Sequence, residues 1–266
     1  MKEIRLANKI IITLTKDRIH YPGRFLADTL TLISRCGVLL AIYYYVFKLN
    51  NGVINNVPFN IVSWSLFFYF SFMIFRLRDI SRAIMADVRS GNVEVLFNKP
   101  ISYLLYRAWW QIGSGLYSFF VATFFGSLVL YFMVGLPVTM KIPIFWPSFI
   151  LTIIFAAILS LLIYSTIGLL AFWLEDVDPI YWIVDKAVMI LGGSYLPVAL
   201  FPLFLYKIAI YSPFGASQFM THAAYTTWQS DWLKLIGLQI FWIVLFAIIV
   251  NLLFKKARNK VSVNGG

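Results

Sequence analysis

Three carboxylates stand together in the run WLEDVDP: Glu175, Asp176 and Asp178. Carboxylates this close can do general acid–base work if their surroundings hold their proton affinities apart. The Asp178-Pro179 step also reads as a helix start, with Asp at the cap and Pro at the first helical position, and capping is the preferred use. His20 and His222 lie far apart, without carboxylates at ligand spacing, so metal binding has no support. The single cysteine, Cys36, excludes an internal disulfide and any thiolate cluster. No G-x-x-x-x-G-K-[ST], H-E-x-x-H or G-x-S-x-G run occurs. The expectation is a chain without catalytic residues of its own, holding no metal and no nucleotide.

Four further ionisable residues fall inside apolar runs. Arg35 is ten residues into the first of them, ~15 Å deep at the helical rise. Asp28, seven residues earlier, shares its helical face and could partner it through water or an intervening group. Alternatively the helix starts deeper in the cytoplasm and Arg35 snorkels to the surface. Asp185 and Lys186 are adjacent, so they point to different faces and are expected to pair with other helices or with lipid headgroups.

The elements that must position these residues follow from composition. Of 266 residues, 61% are apolar and 12% charged, against ~45–50% and ~25% for soluble domains. That leaves too little polar surface for a soluble fold and predicts a polytopic membrane protein. Residues 2–20 read as a basic amphipathic helix with Ile4, Ala7, Ile11 and Leu14 on one stripe, suited to the membrane interface or to docking a partner. No cleavable signal peptide is visible, so the first span is expected to do its own targeting. Candidate spans follow at about 25–47, 58–75, 104–134, 145–174, 179–200 and 232–254.

Sixteen of the 22 Lys and Arg residues cluster in three places: before or at the opening of the first span, around the second connection, and at the chain's end. The positive-inside rule puts both termini and the second connection in the cytoplasm. A seventh crossing through 201–230 would place KKARNK outside. Gly192, Gly193, Pro197, Pro202 and Pro213 also interrupt a continuous helix there, so residues 201–231 are expected to be short helices dipping into or resting on the outer face. In the third span Ser114, Ser118, Ala122 and Gly126 form a four-residue ladder of small side chains, which suits close helix packing within the bundle or across a dimer. Trp109, Trp110, Trp146, Trp173, Trp182 and Trp232 sit near predicted span ends, as interfacial anchors do.

The segment 76–103 interrupts the apolar chain with charge. Leu77, Ile80, Ile84 and Val88 make one apolar stripe, with Arg78, Asp79, Arg82, Asp87 and Arg89 over the rest, predicting an amphipathic helix continuing from the second span. Gly91 is a natural stop. VEVLF then permits one short turn or helix before Lys99-Pro100 breaks it. A short stiff element between two spans can transmit a push from a partner, or can simply lie on the surface.

From Asp79 to Ser102 the run DISRAIMADVRSGNVEVLFNKPIS resembles the cytoplasmic loop of ABC-2 type exporter permeases. Arg89, Gly91, Glu94, Leu96, Pro100 and Ile101 match the family's basic-x-Gly, acidic-x-Leu and Pro pattern. GGSYLPVALFPLFLYKIAIYSPFG, from Gly192 to Gly215, resembles the family's outer re-entrant region, and the likeness runs over essentially the whole chain. Phe97-Asn98 departs from the family, which often has Leu and a small or basic residue there.

The resemblance implies an all-α polytopic permease, one domain over residues 1–266. It would comprise an interfacial helix over 1–23, six transmembrane helices, a cytoplasmic coupling helix within 76–103 and an outer re-entrant hairpin between spans five and six. It further implies a multi-pass cell-membrane protein with cytoplasmic termini and a dimer with a second permease, the same or a related chain. A pair of cytoplasmic ATPase subunits would bind ATP and Mg in place of this chain, and membrane lipids rather than nucleic acid would be its other partners. Two other classes fit the composition: a membrane-embedded lipid-modifying transferase, and a passive channel or structural subunit. The first needs a cytosol- or outside-facing cluster of His, Asp or Glu, which the sequence offers nowhere outside residues 175–178, and the second leaves the loop pattern unexplained.

Overall fold

The computed structural model describes residues 2–20, 22–97 and 101–264. Helix α1 (Lys2–His20) is followed by α2 (Pro22–Leu49), with proline fixing the backbone at the first turn of the second helix. The next residues, NNGVINNVP, turn sharply. Asn55 and Asn56 both take left-handed backbone, so strands β1 (Val53–Ile54) and β2 (Val57–Pro58) close antiparallel, Ile54 opposite Val57. Two consecutive left-handed residues make the tight turn that suits strand twist. This hairpin was not expected, although the Asn pair between β-branched residues is its signature.

Helix α3 (Phe59–Met73) follows, then a 3₁₀ turn (Leu77–Asp79), α4 (Ile80–Arg89) and α5 (Asn92–Phe97). The long helices α6 (Tyr103–Val134) and α7 (Phe145–Leu169) come next, then the shorter α8 (Asp178–Leu191), α9 (Leu203–Tyr211) and α10 (Pro213–Ala216). The last helix is α11 (Trp228–Asn264). Among the described residues five stretches are long and apolar enough to cross a bilayer: Leu26–Leu49, Phe59–Arg89, Tyr103–Val134, Phe145–Phe172 and Trp228–Lys260. The protein is thus an all-α multi-pass membrane protein apart from the small hairpin.

Burial ranks the spans. Every residue of α3 from Ile61 to Phe72 is buried, whereas α2, α6 and α11 leave most of their apolar surface outward. α3 is therefore the central pillar; α2 and α6 each give one stripe to it, α11 gives its stripe to α7, and the rest faces lipid. Trp64 of α3 donates to the Gly135 carbonyl after α6 (2.8 Å), and Ser65 bonds the Tyr225 hydroxyl (3.0 Å). Trp228 donates to Ser148 of α7 (2.9 Å), and Gln239 of α11 to the Ala216 carbonyl (3.0 Å).

The expected helix over 179–200 ends early. α8 stops at Leu191, where Gly193 (φ +84°) turns the chain, and Gly192 is pressed so close to Gln218 that a Cβ would stand 2.5 Å from it. Pro197 precedes a 3₁₀ turn (Val198–Leu200), Pro202 opens α9 and Pro213 opens α10. Residues 219–224 form a further 3₁₀ stretch, all buried. The interrupted path expected for 201–230 is present, with each proline at an element start.

Candidate functional site

The charged segment between α3 and α6 lies at the end of the bundle where α1 joins α2 and α11 finishes, with Arg76 near Asp28 and Phe97 on Phe254. α3 cannot run straight on into it, because Arg76 sits in left-handed backbone, φ +53°. For a residue with a Cβ that conformation costs roughly 1–2 kcal/mol. Neighbours hold the bend in place. Gln111 of α6 donates to the Arg76 carbonyl at 2.8 Å, and the Arg76 guanidinium pairs with Asp79 at 2.8 Å and approaches Asp28 of α2 at 3.9 Å. Gly115 of α6 abuts Phe75, where a Cβ would stand 2.5 Å from the carbonyl oxygen. The amphipathic helix is therefore not a continuation of the second span; an elbow separates them.

Past the elbow, Arg78, Arg82 and Arg89 stand four and seven residues apart, on one face of a helix. They meet the acidic segment 175–185 in antiparallel order. Arg78 donates to both oxygens of Asp185 (3.1 and 3.2 Å), Arg82 to Asp178 (3.2 Å), and Arg89 to the Glu175 carbonyl, with Asp176 3.3 Å away. The Arg82 guanidinium also covers the Tyr181 ring, 4.3 Å from its centre. The contacts are unequal in weight. Asp185 is 2% exposed and also accepts from the Tyr164 hydroxyl (3.1 Å), so its pair is costly to break. The other two are about half exposed, where ion pairs contribute ~0–1 kcal/mol; they set register more than stability.

The opposite side of α4 is fixed as firmly. Leu77, Ile80 and Ile84 are buried, and Gly168 of α7 lets the helix come close, since a Cβ there would stand 2.9 Å from the Ser81 carbonyl. Asp87, expected on the polar face, is instead buried and bound by Arg107 and by the Tyr103 hydroxyl (2.6 Å), both on α6. Such charge-assisted bonds to a buried carboxylate are among the stronger polar contacts.

α5 begins after Gly91, whose φ of +72° suits a residue without Cβ. Val93 is buried, and Phe97 packs edge-on against Tyr103 and Phe254, both at 5.4 Å between ring centres, with Phe172 at 6.3 Å. Lys260 of α11 donates to the Phe172 carbonyl at 2.7 Å, closing this aromatic nest. The outward face of α5 carries Asn92, Glu94 and Val95, the last 66% exposed. The whole is a small knob fastened from behind and open in front.

Of the residues singled out by sequence, Arg89, Gly91, Glu94, half-buried Leu96 and buried Ile101 fall within or just beside this knob; Pro100 lies outside the described residues. Asp28 does not pair with Arg35; its carboxylate faces Arg18 (3.7 Å) and Arg76, while Arg35 lies on the exposed side of α2. Asp185 and Lys186 do point apart, and the exposed Lys186 ammonium lies 5.8 Å from the Trp182 ring centre. Asp178 does not cap α8; Asp176 accepts its backbone N–H (2.9 Å), which frees the Asp178 carboxylate for Arg82. In the small-residue ladder, Ser118 and Ala122 are buried, and a Cβ on Gly126 would stand 2.5 Å from the Phe67 ring of α3. Off that ladder, Gly115 approaches the elbow as closely, and a Cβ on Gly113 would stand 3.0 Å from Leu14 of α1.

At the other end of the bundle, His222 is buried between Phe219 and Tyr225, and burial pushes its imidazole down to about 4. Among the described residues no three His, Cys, Asp or Glu side chains gather as metal ligands. Asp176 and Asp178 are both engaged by arginines, so the acidic run serves as an anchor for α4. Mechanically, the site joins α4 to α8 and α6 and presents α5.

In a comparison with known protein families, the model for ABC-2 family transporter proteins fits residues 32–265. It covers every element described except α1 and the first turns of α2. A search among curated proteins returned no match.

Proposed function

The chain belongs to the ABC-2 family of transporter proteins, and from that premise we propose that it is a permease subunit of an ATP-driven exporter. In this reading it crosses the cell membrane six times, works as a dimer with a second permease chain, and is driven by separate cytoplasmic ATPase subunits that bind ATP and Mg. The permease itself holds no nucleotide.

Parity supports the sixth crossing. The ends of α7 and α11 lie together, since Lys260 bonds the Phe172 carbonyl, and Phe254 packs near Tyr103 at the start of α6. Both α7 and α11 thus end at the same face of the bundle, and the chain between them must return across it. α8 and the turns after it make that return, although α8 alone, at 14 residues, rises only ~21 Å. The three basic clusters lie at the face where α7 and α11 end, which the positive-inside rule assigns to the cytoplasm.

The observation that carries the coupling role is α5. Val95 presents an exposed apolar side chain beside Glu94 on a protruding turn, while Val93 and Phe97 root that turn in a nest built from α5, α6, the 170–172 turn and α11. A projection that is rigid behind and apolar in front suits insertion into a partner's groove. A push on it travels through α4 to α8 by way of the three arginines. The transferase reading loses ground, because the acidic run it needs is occupied by those arginines.

The test is recovery of the tagged chain in mild detergent with identification of what accompanies it. An ATPase should co-purify with the native chain and be lost from a Glu94→Ala/Val95→Asp variant that still inserts in the membrane. Recovery of the native chain without any ATPase, under conditions that preserve known transporter complexes, refutes the reading.

A further inference from the structure

Helices α2, α3 and α6 enclose an apolar cleft of about 1170 Å³ on the flank of the bundle. It is larger than ordinary small-molecule pockets of ~300–1,000 Å³. On α2 its lining runs from Thr29 to Tyr44, which spans about 22 Å at the helical rise. That is most of a ~30 Å hydrocarbon layer, so the cleft stands upright in the membrane. Volume over length gives a mean section of about 53 Å². An alkyl chain, with contacts at ~3.5–4.0 Å, has a section of roughly 20 Å²; two fit side by side.

The ends of the cleft differ. No charged residue lines it, but at its inner lip the Thr29 hydroxyl is buried without a hydrogen-bond partner. The neighbouring Asp28 faces Arg18, which fixes the last turns of α1 beside this lip. α1 is held flat against α6 by Ile11 and Leu14 meeting Gly113, and it leaves Arg5, Lys9 and Lys16 exposed against one described exposed acid, Asp17. The opposite end carries Asn60, whose Oδ1 is likewise buried without a hydrogen-bond partner, so the ends differ in the charge around them and not in their lining. Among the described residues the three exposed cations of α1 lie below the inner end, at headgroup level, where each Lys or Arg attracts anionic lipid, against Lys48 one turn beyond Tyr44 at the outer end.

We propose that this cleft binds one diacyl phospholipid with an anionic headgroup. Its two chains lie between α2 and α6 over α3, and its phosphate lies over the basic residues of α1. The site needs the membrane topology but not the ATPase, so it stands or falls separately from the coupling role.

Native mass spectrometry of the full-length chain from nanodiscs containing equal phosphatidylglycerol and phosphatidylcholine tests this. One phosphatidylglycerol should remain per chain. Gly37→Phe, placed where a Cβ meets open space in the cleft, should remove the retained lipid, while Gly37→Ala keeps it. Lys9→Gln with Lys16→Gln should keep a lipid but erode the preference for phosphatidylglycerol, by about fivefold per lysine and roughly thirtyfold together. Equal retention of the two lipids by the native chain, or unchanged retention in folded Gly37→Phe, overturns the proposal. So does a change of oligomeric state in place of lipid loss, which would give the cleft to a second copy.

Discussion

Asp185 and Arg78 are 107 residues apart and meet with Asp185 2% exposed, so removing both should cost well under the sum of removing each. At 3.1 Å and an effective dielectric near 20, their attraction is about 5 kcal/mol before desolvation is set against it. The Arg78 side chain is 26% exposed, so water screens part of that figure. Asp185→Asn leaves a guanidinium facing a neutral amide and deprives the Tyr164 hydroxyl of its charged acceptor; the loss should be ~3–5 kcal/mol. Arg78→Gln strands a buried carboxylate and should cost a similar amount. The double variant should cost well under the sum, giving a coupling energy of roughly 2–4 kcal/mol. The assay is unfolding in mixed detergent–SDS micelles followed by tryptophan fluorescence, for all four proteins under one condition. Additivity within ~0.5 kcal/mol would mean that the pair does not act as one and would remove the buried link from α4 to α8. The double variant also separates stability from transmission: it should fold nearly as well as the single variants, yet export should fall while ATP turnover persists.

Gly115→Leu should destabilise by ~1–3 kcal/mol or shift the elbow, because its Cβ would stand 2.5 Å from the Phe75 carbonyl, backbone that Gln111 and Asp28 already hold. Thermal unfolding and limited proteolysis near residue 76 check this, and a native melting point with native cleavage counts against the elbow's rigidity. For His222, burial pulls the folded imidazole from 6.5 to about 4, while the nearby Asp231 acts the other way. The unfolded chain therefore takes up a proton that the folded one refuses, and stability present above pH 6.5 is lost as pH falls towards 4, by up to roughly 3 kcal/mol. Melting of the detergent-solubilised protein at pH 8 and pH 5 should show this drop, and His222→Phe should flatten it. An unchanged slope in that variant places the sensitivity elsewhere.

The long helices were legible because bilayer thickness imposes length and composition on them, and the breaks were legible because Gly and Pro act through local backbone. The stripe Leu77, Ile80, Ile84 belongs to the same class: helical period alone puts it on one side. Asp87 was misplaced on the polar face, since its partners Tyr103 and Arg107 lie beyond a turn and nothing local announces them. Asp185 was visible as a charge needing an answer and Arg78 only as part of a polar helix face, and pairing over such a distance is a tertiary fact. Gly115 and Gly168 looked like ordinary small residues in apolar helices, and only the close approach of another backbone gives them meaning. The elbow escaped for a related reason: arginine carries no left-handed preference, so φ at residue 76 is imposed by Gln111, Asp79 and Asp28 from outside.

The aromatic nest behind α5 draws two of its walls from α11, through Phe254 and through Lys260, within the last thirteen residues of the 266-residue chain. Synthesis runs from the other end, so α5 leaves the ribosome more than 150 residues before its backing exists. Until then Phe97 has no Phe254 to pack on, and the turn it anchors is loose. A nascent or truncated chain that lacks α11 therefore lacks part of the wall behind α5, and the last-made helix finishes a surface that the middle of the chain began.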